Sequence, residues 1–444
     1  MREFVEQFLG IKHRKSMFSF FPKLQSLYKL QLTGLSSQLG WYVIQLGVTF
    51  VSILWLIRHL DNSHWGSISL LVSYHGLFSV FSGIWLKDWT IKAIVEGRKV
   101  EPILGSVAFM AVLLSVLGFV VCGLSFRGFF PQYSFLKNLI WVQASNLLTT
   151  PFHVVYFYFD AIKKPYLINQ VNAYYAICAG ICKVICVEIK PFSFSVFLWL
   201  QLGCSLGLAM VYCWLVKSEG LGLRKWQIHW QLVQEMCKGA WSVFVSKIIG
   251  LVQSKMDVLL LASLLNLADT GRYSSALRLV EASYFVPVLL FTHQYPRMIE
   301  AKRMSETLFL KQMRQYFQIS LGTSIVLVVM MWIGAPMLER ILGVKQLTWL
   351  IVGISGNLVF YMLDMARSSF LFTNNLTHLM IPIQVISCLL GVCFSYLLVP
   401  HWGIYGAILS AWITGIWQCW LSNYIFRETR FIPSLIWSKP YFMA

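Results

Sequence analysis

The sequence predicts an all-α polytopic membrane protein, with twelve transmembrane helices in two six-helix bundles around a central cavity. Hydrophobic residues make up 57% of the 444 positions and charged residues only 12%, whereas charged residues approach ~25% in soluble domains. Apolar runs long enough to cross ~30 Å of hydrocarbon recur along the whole chain. Lys and Arg concentrate in alternate loops between these runs, which is typical of a multi-pass membrane protein.

The apolar runs give the helices in order. They lie near residues 34–57, 66–86, 103–125, 139–159, 166–188, 194–216, 240–266, 272–296, 317–336, 347–366, 379–399 and 403–426. The longest internal break, residues 217–239, is expected to be a cytoplasmic linker between an amino-terminal bundle at 34–216 and a carboxy-terminal bundle at 240–426. Residues 1–33 are basic and lack a long apolar core, so we expect a cytoplasmic arm at the membrane interface. Residues 427–444 are expected to form a cytoplasmic tail.

The formal net charge of +18 raises the possibility of nucleic-acid binding, which the positions of the basic residues exclude. If both termini are cytoplasmic, the basic residues of the outer loops are Arg58, Arg127, Lys137, Lys190, Arg272, Arg340 and Lys345. Most other Lys and Arg residues then lie on the inner side, and this asymmetry predicts that both termini are inside. Membrane lipids with anionic headgroups, and not nucleic acid, are the expected partners of these residues.

The ten cysteines lie in predicted membrane helices or on the inner side, so no disulfide framework is expected. Cys178, Cys182 and Cys186 recur at one-turn spacing on helix 5, which would suit a metal ion. Small residues at this spacing more commonly reflect close helix packing. We therefore expect no metal site.

Several predicted helices carry polar side chains on one face. The two longest sets are Gln38, Tyr42, Gln45, Thr49 and Ser52 on helix 1 and Gln143, Asn146, Thr150, His153 and Asp160 on helix 4. Spacings of mostly three and four residues place each set on one side of an α-helix. One such face can simply bond helices together, but polar faces in both halves favour a shared, hydrated space. We take Gln38, Gln45 and Asn146 as candidate substrate-binding residues.

Helices 7 and 8 carry charges at membrane depth. They are Lys247, Lys255 and Asp257 on helix 7 and Arg278 and Glu281 on helix 8. A charge at the bilayer centre costs at least ~2.5–3.5 kcal/mol, so these side chains should not face lipid. One interpretation is a structural clasp, in which Lys255 pairs with Glu281 and Arg278 pairs with Asp257. The other is a water-filled cavity, which Lys247 favours because no acidic residue of helices 7 and 8 lies at its depth.

The cavity interpretation predicts a cationic site, because cations outnumber acids in helices 7 and 8 and Lys183 on helix 5 adds another. The candidate substrate ligands of this kind are Lys183, Lys247, Lys255 and Arg278. They suit a substrate with a phosphate head and an apolar tail that stays in lipid. Export of a negatively charged head gains ~2.3 kcal/mol per charge for each 100 mV of inside-negative potential. Asp257 or Glu281 would bind Na⁺ or a proton as a coupling ion, and no other cofactor is expected.

A short internal similarity supports two related halves. Residues 60–67, with the sequence LDNSHWGS, are echoed by residues 268–275, with the sequence ADTGRYSS. Six helices intervene, so the two copies would share one orientation in the membrane. The alternative is a chance match of turn residues.

The same segments resemble a known family. They are Arg58-His59-Leu60, Trp65-Gly66, Met256-Asp257-Val258, Gly271 through Glu281, and Pro287. Together they are similar to the Wzx-type O-antigen and polysaccharide flippases of the multidrug/oligosaccharidyl-lipid/polysaccharide exporter superfamily. By position, the residues that match the family pattern are Asp257, Gly271, Tyr273, Ala276 and Arg278. Arg272 departs from the pattern, because that position is commonly apolar.

This resemblance implies two six-helix bundles around a cationic cavity and a transporter, not an enzyme. The implied substrate is an undecaprenyl-diphosphate-linked oligosaccharide, moved from the cytoplasmic to the periplasmic leaflet of the bacterial inner membrane by alternating access. The implied process is O-antigen or lipopolysaccharide biosynthesis. The polysaccharide polymerase and the chain-length regulator of that process are then expected protein partners.

Other functions stay open from the sequence alone. A multidrug or small-molecule extruder of the same superfamily would share the fold, but extruders of cations usually need an acidic lumen, and the excess here is basic. A membrane-embedded polymerase or glycosyltransferase would need reactive groups in sizeable outer loops. His59 and His64 are candidates for such groups, but no paired carboxylates suited to acid and base roles are present. A scaffold without transport would not account for polar faces in both halves.

Overall fold

A computed structural model describes residues 34–189 and 191–433, with side chains from Gly40 onward. The predicted cytoplasmic arm at residues 1–33 lies outside the described residues, as does most of the predicted tail. Within the described residues the chain is helical and contains no strand. We call the side that carries the turns at residues 60–61 and 265–266 the outer side, following the predicted orientation, and the opposite side the inner side.

The described chain forms twelve helical units, which confirms the predicted fold class. Their bounds are α1 Gly34–His59, α2 Asn62–Ser82 with Ile84–Val95, α3 Val100–Phe129, α4 Lys137–Ala144 through Ser145–His153 to Val154–Ala161, α5 Pro165–Glu188, α6 Phe194–Ser218, α7 Trp230–Leu264, α8 Leu267–Met304, α9 Glu306–Leu342, α10 Leu347–Thr373, α11 Thr377–Trp402 and α12 Ile404–Tyr424.

Most of these units are membrane spans by length and composition. Among the described residues, nine helices are long and apolar enough to cross a bilayer, and α2 adds a tenth as a span bent by 41°. The bend in α2 occurs at Gly83, whose φ of 76° is favourable for glycine. In α4 the backbone tightens to a 3₁₀ segment around Pro151, because proline cannot donate the helical hydrogen bond. The charges of α7 lower its apolar character, which is expected if part of its surface does not face lipid.

The inner ends of several helices extend further than the apolar runs predicted. Helices α7, α8 and α9 contain 35, 38 and 37 residues, or about 52–57 Å at the α-helical rise. Hydropathy identifies only the part of a helix that lies in hydrocarbon. These helices continue beyond that part, because their inner turns still bury Met298, Ala301, Phe309 and Met313. The predicted inner loop at 297–315 is therefore mostly helix.

Apolar packing differs between the two sides. On the outer side a single cluster joins residues of both halves, including Leu56 of α1, Leu261 of α7 and Leu347 of α10. On the inner side there are two separate clusters, one built mainly from α2 to α6 and the other from α8 to α12. The halves thus share one apolar cluster on the outer side and have separate clusters on the inner side.

Helix α7 belongs to both halves. Its inner end packs into the amino-terminal cluster through Val233, Met236 and Ala240, and Arg98 donates two hydrogen bonds of 2.9 Å to the carboxylate of Glu235. Its outer end enters the shared cluster, and its middle packs against α11. The helix starts at Trp230, well before the predicted start at residue 240.

Candidate functional site

The outer side is closed by a contact between α2 and α8. A Cβ atom on Gly66 would overlap the carbonyl oxygen of Leu267, and one on Gly271 would overlap the carbonyl oxygen of Asn62. The two backbones approach this closely only because both positions are glycine. One turn further in, the hydroxyl groups of Ser69 and Ser274 share a hydrogen bond of 2.8 Å.

This contact shows the true register of the internal repeat. Gly66 faces Gly271 and Ser69 faces Ser274, so equivalent positions differ by 205 residues. The residues that cap the two helices are also 205 positions apart. Asp61 accepts a hydrogen bond from the backbone N–H of His64, and Asn266 accepts one from the backbone N–H of Asp269. The predicted alignment of residues 60–67 with 268–275 was wrong by three residues. It matched the two aspartates, whereas the equivalent of the capping Asp61 is an asparagine.

Below the outer contact lies a group of charges that we call the charge cluster: Lys183, Lys255, Arg278 and Glu281. Arg278 donates a hydrogen bond of 2.8 Å from Nη1 to Oε2 of Glu281, and each side chain is 27% exposed. The guanidinium of Arg278 also lies close enough to the ammonium groups of Lys183 and Lys255 for their positive charges to repel each other. Arg278 therefore lies near two other cations, and the carboxylate of Glu281 is bonded to Arg278 and lies near Lys255.

Both halves of the chain contribute to the charge cluster. Lys183 comes from α5, whereas Arg278 and Glu281 come from α8. Lys255 of α7 crosses to the amino-terminal half, because its side chain packs on Gly76 of α2, where an added Cβ would meet Cε at 3.3 Å. Since all these side chains keep accessible surface, the cluster lies between the halves and not in a dry core.

Asp257 has a different environment from the one that the clasp interpretation predicted. Its Oδ2 accepts a hydrogen bond of 3.0 Å from the hydroxyl group of Tyr273, a residue only 1% exposed. Tyr273 lies more than one turn outward of Arg278 on α8, so the phenol and not the guanidinium reaches this carboxylate. Neither of the pairs in the clasp, Lys255 with Glu281 or Arg278 with Asp257, is an ion pair in the structure.

The other sequence candidates lie apart from the charge cluster or are incompletely described. Lys247 is exposed and Gln45 is partly buried. Asn146 is 8% exposed, and its amide donates to the carbonyl oxygen of Gln143 on the same helix. Its Oδ1 atom is buried without a hydrogen-bond partner, which places this amide inside the amino-terminal half. The side chain of Gln38 lies outside the described residues.

Sequence reasoning missed a second polar network in the carboxy-terminal half. Arg367 was expected in an inner loop, but it is part of α10 and only 2% exposed. Its guanidinium donates to Oδ1 of Asp364 at 2.6 Å. The other oxygen of Asp364 accepts from Gln418 of α12, and Gln418 in turn accepts from Gln253 of α7 at 2.7 Å. The i, i+3 spacing of Asp364 and Arg367 was the available signal for this pair.

Lys87 was also expected in an inner loop and forms a partly buried pair instead. Its Nζ atom lies 2.8 Å from Oδ2 of Asp160 and donates to the hydroxyl group of Tyr156 at 2.9 Å. Asp160 and Asp364 thus each have a fixed cationic partner in their own half. Asp257 and Glu281, in contrast, are the acids predicted at membrane depth that lie near the boundary between the halves.

Comparisons with known proteins agree on the fold. No protein-family model and no curated protein sequence matches the chain. Among solved structures, the inward-facing conformation of a multidrug resistance MATE family transporter of the MOP superfamily is similar over 90% of this chain and 98% of that chain, with 10% identity and a TM-score of 0.74. The inward closed conformation of the lipid II flippase MurJ is similar over 90% and 89%, with 11% identity and a TM-score of 0.69.

An outward-facing conformation of a MATE family transporter is similar over 90% of this chain and 96% of that chain, with 12% identity and a lower TM-score of 0.57. At these identities the comparisons show the fold alone, which is similar to that of the MATE family and MurJ structures.

Proposed function

We propose that this protein is a flippase, which moves an undecaprenyl-diphosphate-linked oligosaccharide from the cytoplasmic to the periplasmic leaflet by alternating access. The observation that carries the proposal is the charge cluster, where three cations from both halves lie around Arg278 and only one carboxylate, that of Glu281, accompanies them. Phosphate oxygens are strong acceptors for Arg and Lys. A diphosphate would supply the negative charge that the cluster lacks.

The energetics favour an anionic ligand at this position. Like charges in a partly desolvated site repel each other strongly, because the effective dielectric constant is well below that of water. Lys183 and Lys255 both lie near Arg278, and Glu281 offsets only part of this repulsion. A diphosphate between the halves would relieve it, while the polyprenyl tail would remain in lipid.

The conformation fits the loading step of such a cycle. The outer contact at Gly66 and Gly271 is closed, and the two inner clusters are separate. A substrate from the inner leaflet would reach the charge cluster in this state, and release outside would require α2 and α8 to part. Asp257 or Glu281 would bind Na⁺ or a proton during the return of the empty carrier.

A multidrug extruder is the second candidate, because MATE family transporters share the fold over most of the chain. The sign of the charge cluster argues against an extruder of organic cations, since three like charges would repel the substrate. An extruder of anionic amphiphiles would differ from the proposed flippase only in the ligand. The outer connections described in the structure are short, which gives little support to a polymerase or glycosyltransferase.

Deletion of the gene in its host, followed by analysis of lipid-linked intermediates, tests the proposal. We expect complete oligosaccharide units to accumulate on the inner leaflet, with loss of surface polysaccharide. Single units that appear outside but are not joined would indicate a polymerase instead. Unchanged lipid-linked intermediates together with increased sensitivity to toxic amphiphiles would indicate an extruder.

A further inference from the structure

Two pairs of aromatic rings connect α8 and α10 below the charge cluster. Tyr284 stacks on Tyr361 with 4.5 Å between ring centroids and 15° between planes. Tyr295 meets Phe372 edge to face, with centroids 6.3 Å apart. The two pairs are 11 residues apart on each helix, or about 16 Å along the axis. We call these pairs the upper and lower rungs of an aromatic ladder.

The ladder begins at the charge cluster and leads inward. Tyr284 follows Glu281 by one turn and lies within Coulombic range of it. Tyr295 follows Glu281 by 14 residues, a spacing that returns to the same face of a helix. Between the rungs, Phe291 stacks on Tyr295 with centroids 5.1 Å apart and planes inclined by 10°.

The rungs are not the apolar core of this helix pair. That core is formed by buried residues such as Met298, Leu363 and Phe370. In contrast, Tyr284, Tyr295 and Tyr361 are partly exposed, and Phe372 is 40% exposed. Each of these rings therefore keeps part of its surface available to a ligand.

We infer that the aromatic ladder binds the sugar chain of the substrate while the diphosphate occupies the charge cluster, an inference that rests on the proposed function. Sugar rings have apolar faces that pack on aromatic rings and hydroxyl groups that bond to phenols, and tyrosine offers both surfaces. A polyprenyl tail would gain nothing from the phenol groups. The sugar chain leaves the diphosphate on the side opposite the tail, so it would extend inward along α8 over the length between the rungs.

Binding measurements on the purified full-length protein in lipid nanodiscs test this assignment. The two probes are undecaprenyl diphosphate and the same lipid carrying a synthetic trisaccharide. We expect Tyr295→Ala to weaken binding of the sugar-bearing probe by about tenfold, the loss of a stacking contact, and to leave the sugar-free probe unchanged. Tyr295→Phe should keep most of the affinity, because the ring remains. Tyr396→Ala, which removes a tyrosine 63% exposed on α11, should change neither probe.

Equal losses for the two probes in Tyr295→Ala would overturn the assignment, as would no loss for either. If Tyr295→Ala fails to fold, Phe372→Leu is the substitute, since that side chain is already 40% exposed and the same selective loss is expected. A wild-type protein that binds the sugar-free probe with the same affinity as the sugar-bearing one would refute the ladder alone. Binding of neither probe would refute the proposed function and the ladder together.

Discussion

The outer and inner sides of the molecule are built differently from the same two halves. Outside, α2 and α8 touch backbone to backbone at Gly66 and Gly271, and one apolar cluster includes both halves. Inside, each half has its own cluster and its own buried or partly buried ion pair, Lys87 with Asp160 and Arg367 with Asp364. On the inner side the halves form two separately packed bodies, whereas on the outer side they are joined.

The largest expected effect comes from breaking the outer contact. Gly66→Leu would force α2 away from α8, because even a Cβ atom overlaps the carbonyl oxygen of Leu267. Overpacking of this kind costs up to about 3 kcal/mol, which corresponds to a shift of up to roughly a hundredfold toward an outward-open state. The shift is measured as labelling of Thr270→Cys from outside, in a protein whose native cysteines are serine, because Thr270 is fully buried in the closed contact.

Gly334→Leu is the matched control, since a Cβ atom at Gly334 would meet nothing within 4 Å. We expect it to leave Thr270→Cys unlabelled. Equal labelling in Gly66→Leu and the control would show that the glycine contact does not hold the outer side closed.

A second large effect, on stability and not on conformation, tests the independence of the inner bodies. Arg367→Leu would leave the carboxylate of Asp364 without its guanidinium partner, and breaking a buried pair in this way costs about 3–5 kcal/mol. Hydrogen exchange should rise in α10 to α12 and remain unchanged in α2 to α6. The double variant that combines Arg367→Leu with Asp364→Asn should recover part of the stability. Increased exchange across both halves would contradict the separation of the two inner clusters.

An intermediate effect is expected at the boundary between halves. Arg278→Ala should reduce binding of undecaprenyl diphosphate by about 10–100-fold, as hydrogen bonds to charged groups contribute about 1.5–3 kcal/mol. It should also abolish surface polysaccharide at normal protein abundance. Lys345→Ala is the control, because Lys345 is an exposed cation in the outer turn before α10. Similar losses in both variants would mean that overall charge, and not the charge cluster, attracts the ligand.

The smallest expected effect comes from removing the hydrogen bond between Ser69 and Ser274 at the outer contact. Ser69→Ala removes the hydrogen bond to Ser274, and bonds of this type between membrane helices contribute about 0.6 kcal/mol. We therefore expect only a two- to threefold increase in labelling of Thr270→Cys. An increase as large as that of Gly66→Leu would show that the hydroxyl pair, and not backbone packing, dominates the closure.

Hydropathy and charge placement were sufficient to predict the all-helical fold and its twelve units. They failed at the inner ends, where Met298 and Phe309 bury apolar surface against neighbouring helices in turns that are otherwise polar. A hydropathy average cannot distinguish such an amphipathic turn from a loop. For the same reason Arg367 and Lys87 appeared as loop cations, although each has a carboxylate partner within its own half.

For the site, depth in the membrane indicated which charges of α7 and α8 to consider together, but it did not assign their partners. Arg278 bonds to Glu281 on its own helix, and Asp257 bonds to Tyr273. These choices depend on a rotation of α7 against α8 that spacing along one helix does not contain. The aromatic ladder depends in addition on α10, whose alignment with α8 follows only from the packed structure.

The shared position of α7 has a mechanical consequence. Its first turns are fastened to the amino-terminal body by Glu235 and Arg98, and its last turns belong to the outer contact region. If the bodies rock about the outer contact, α7 must bend between Glu235, which bonds to the amino-terminal half, and Gln253, which bonds to Gln418 of α12. Its stiffness would then limit how far the inner ends of the two halves can separate. The stiffness of α7 would thus set an upper bound on the width of a substrate that can enter between the halves.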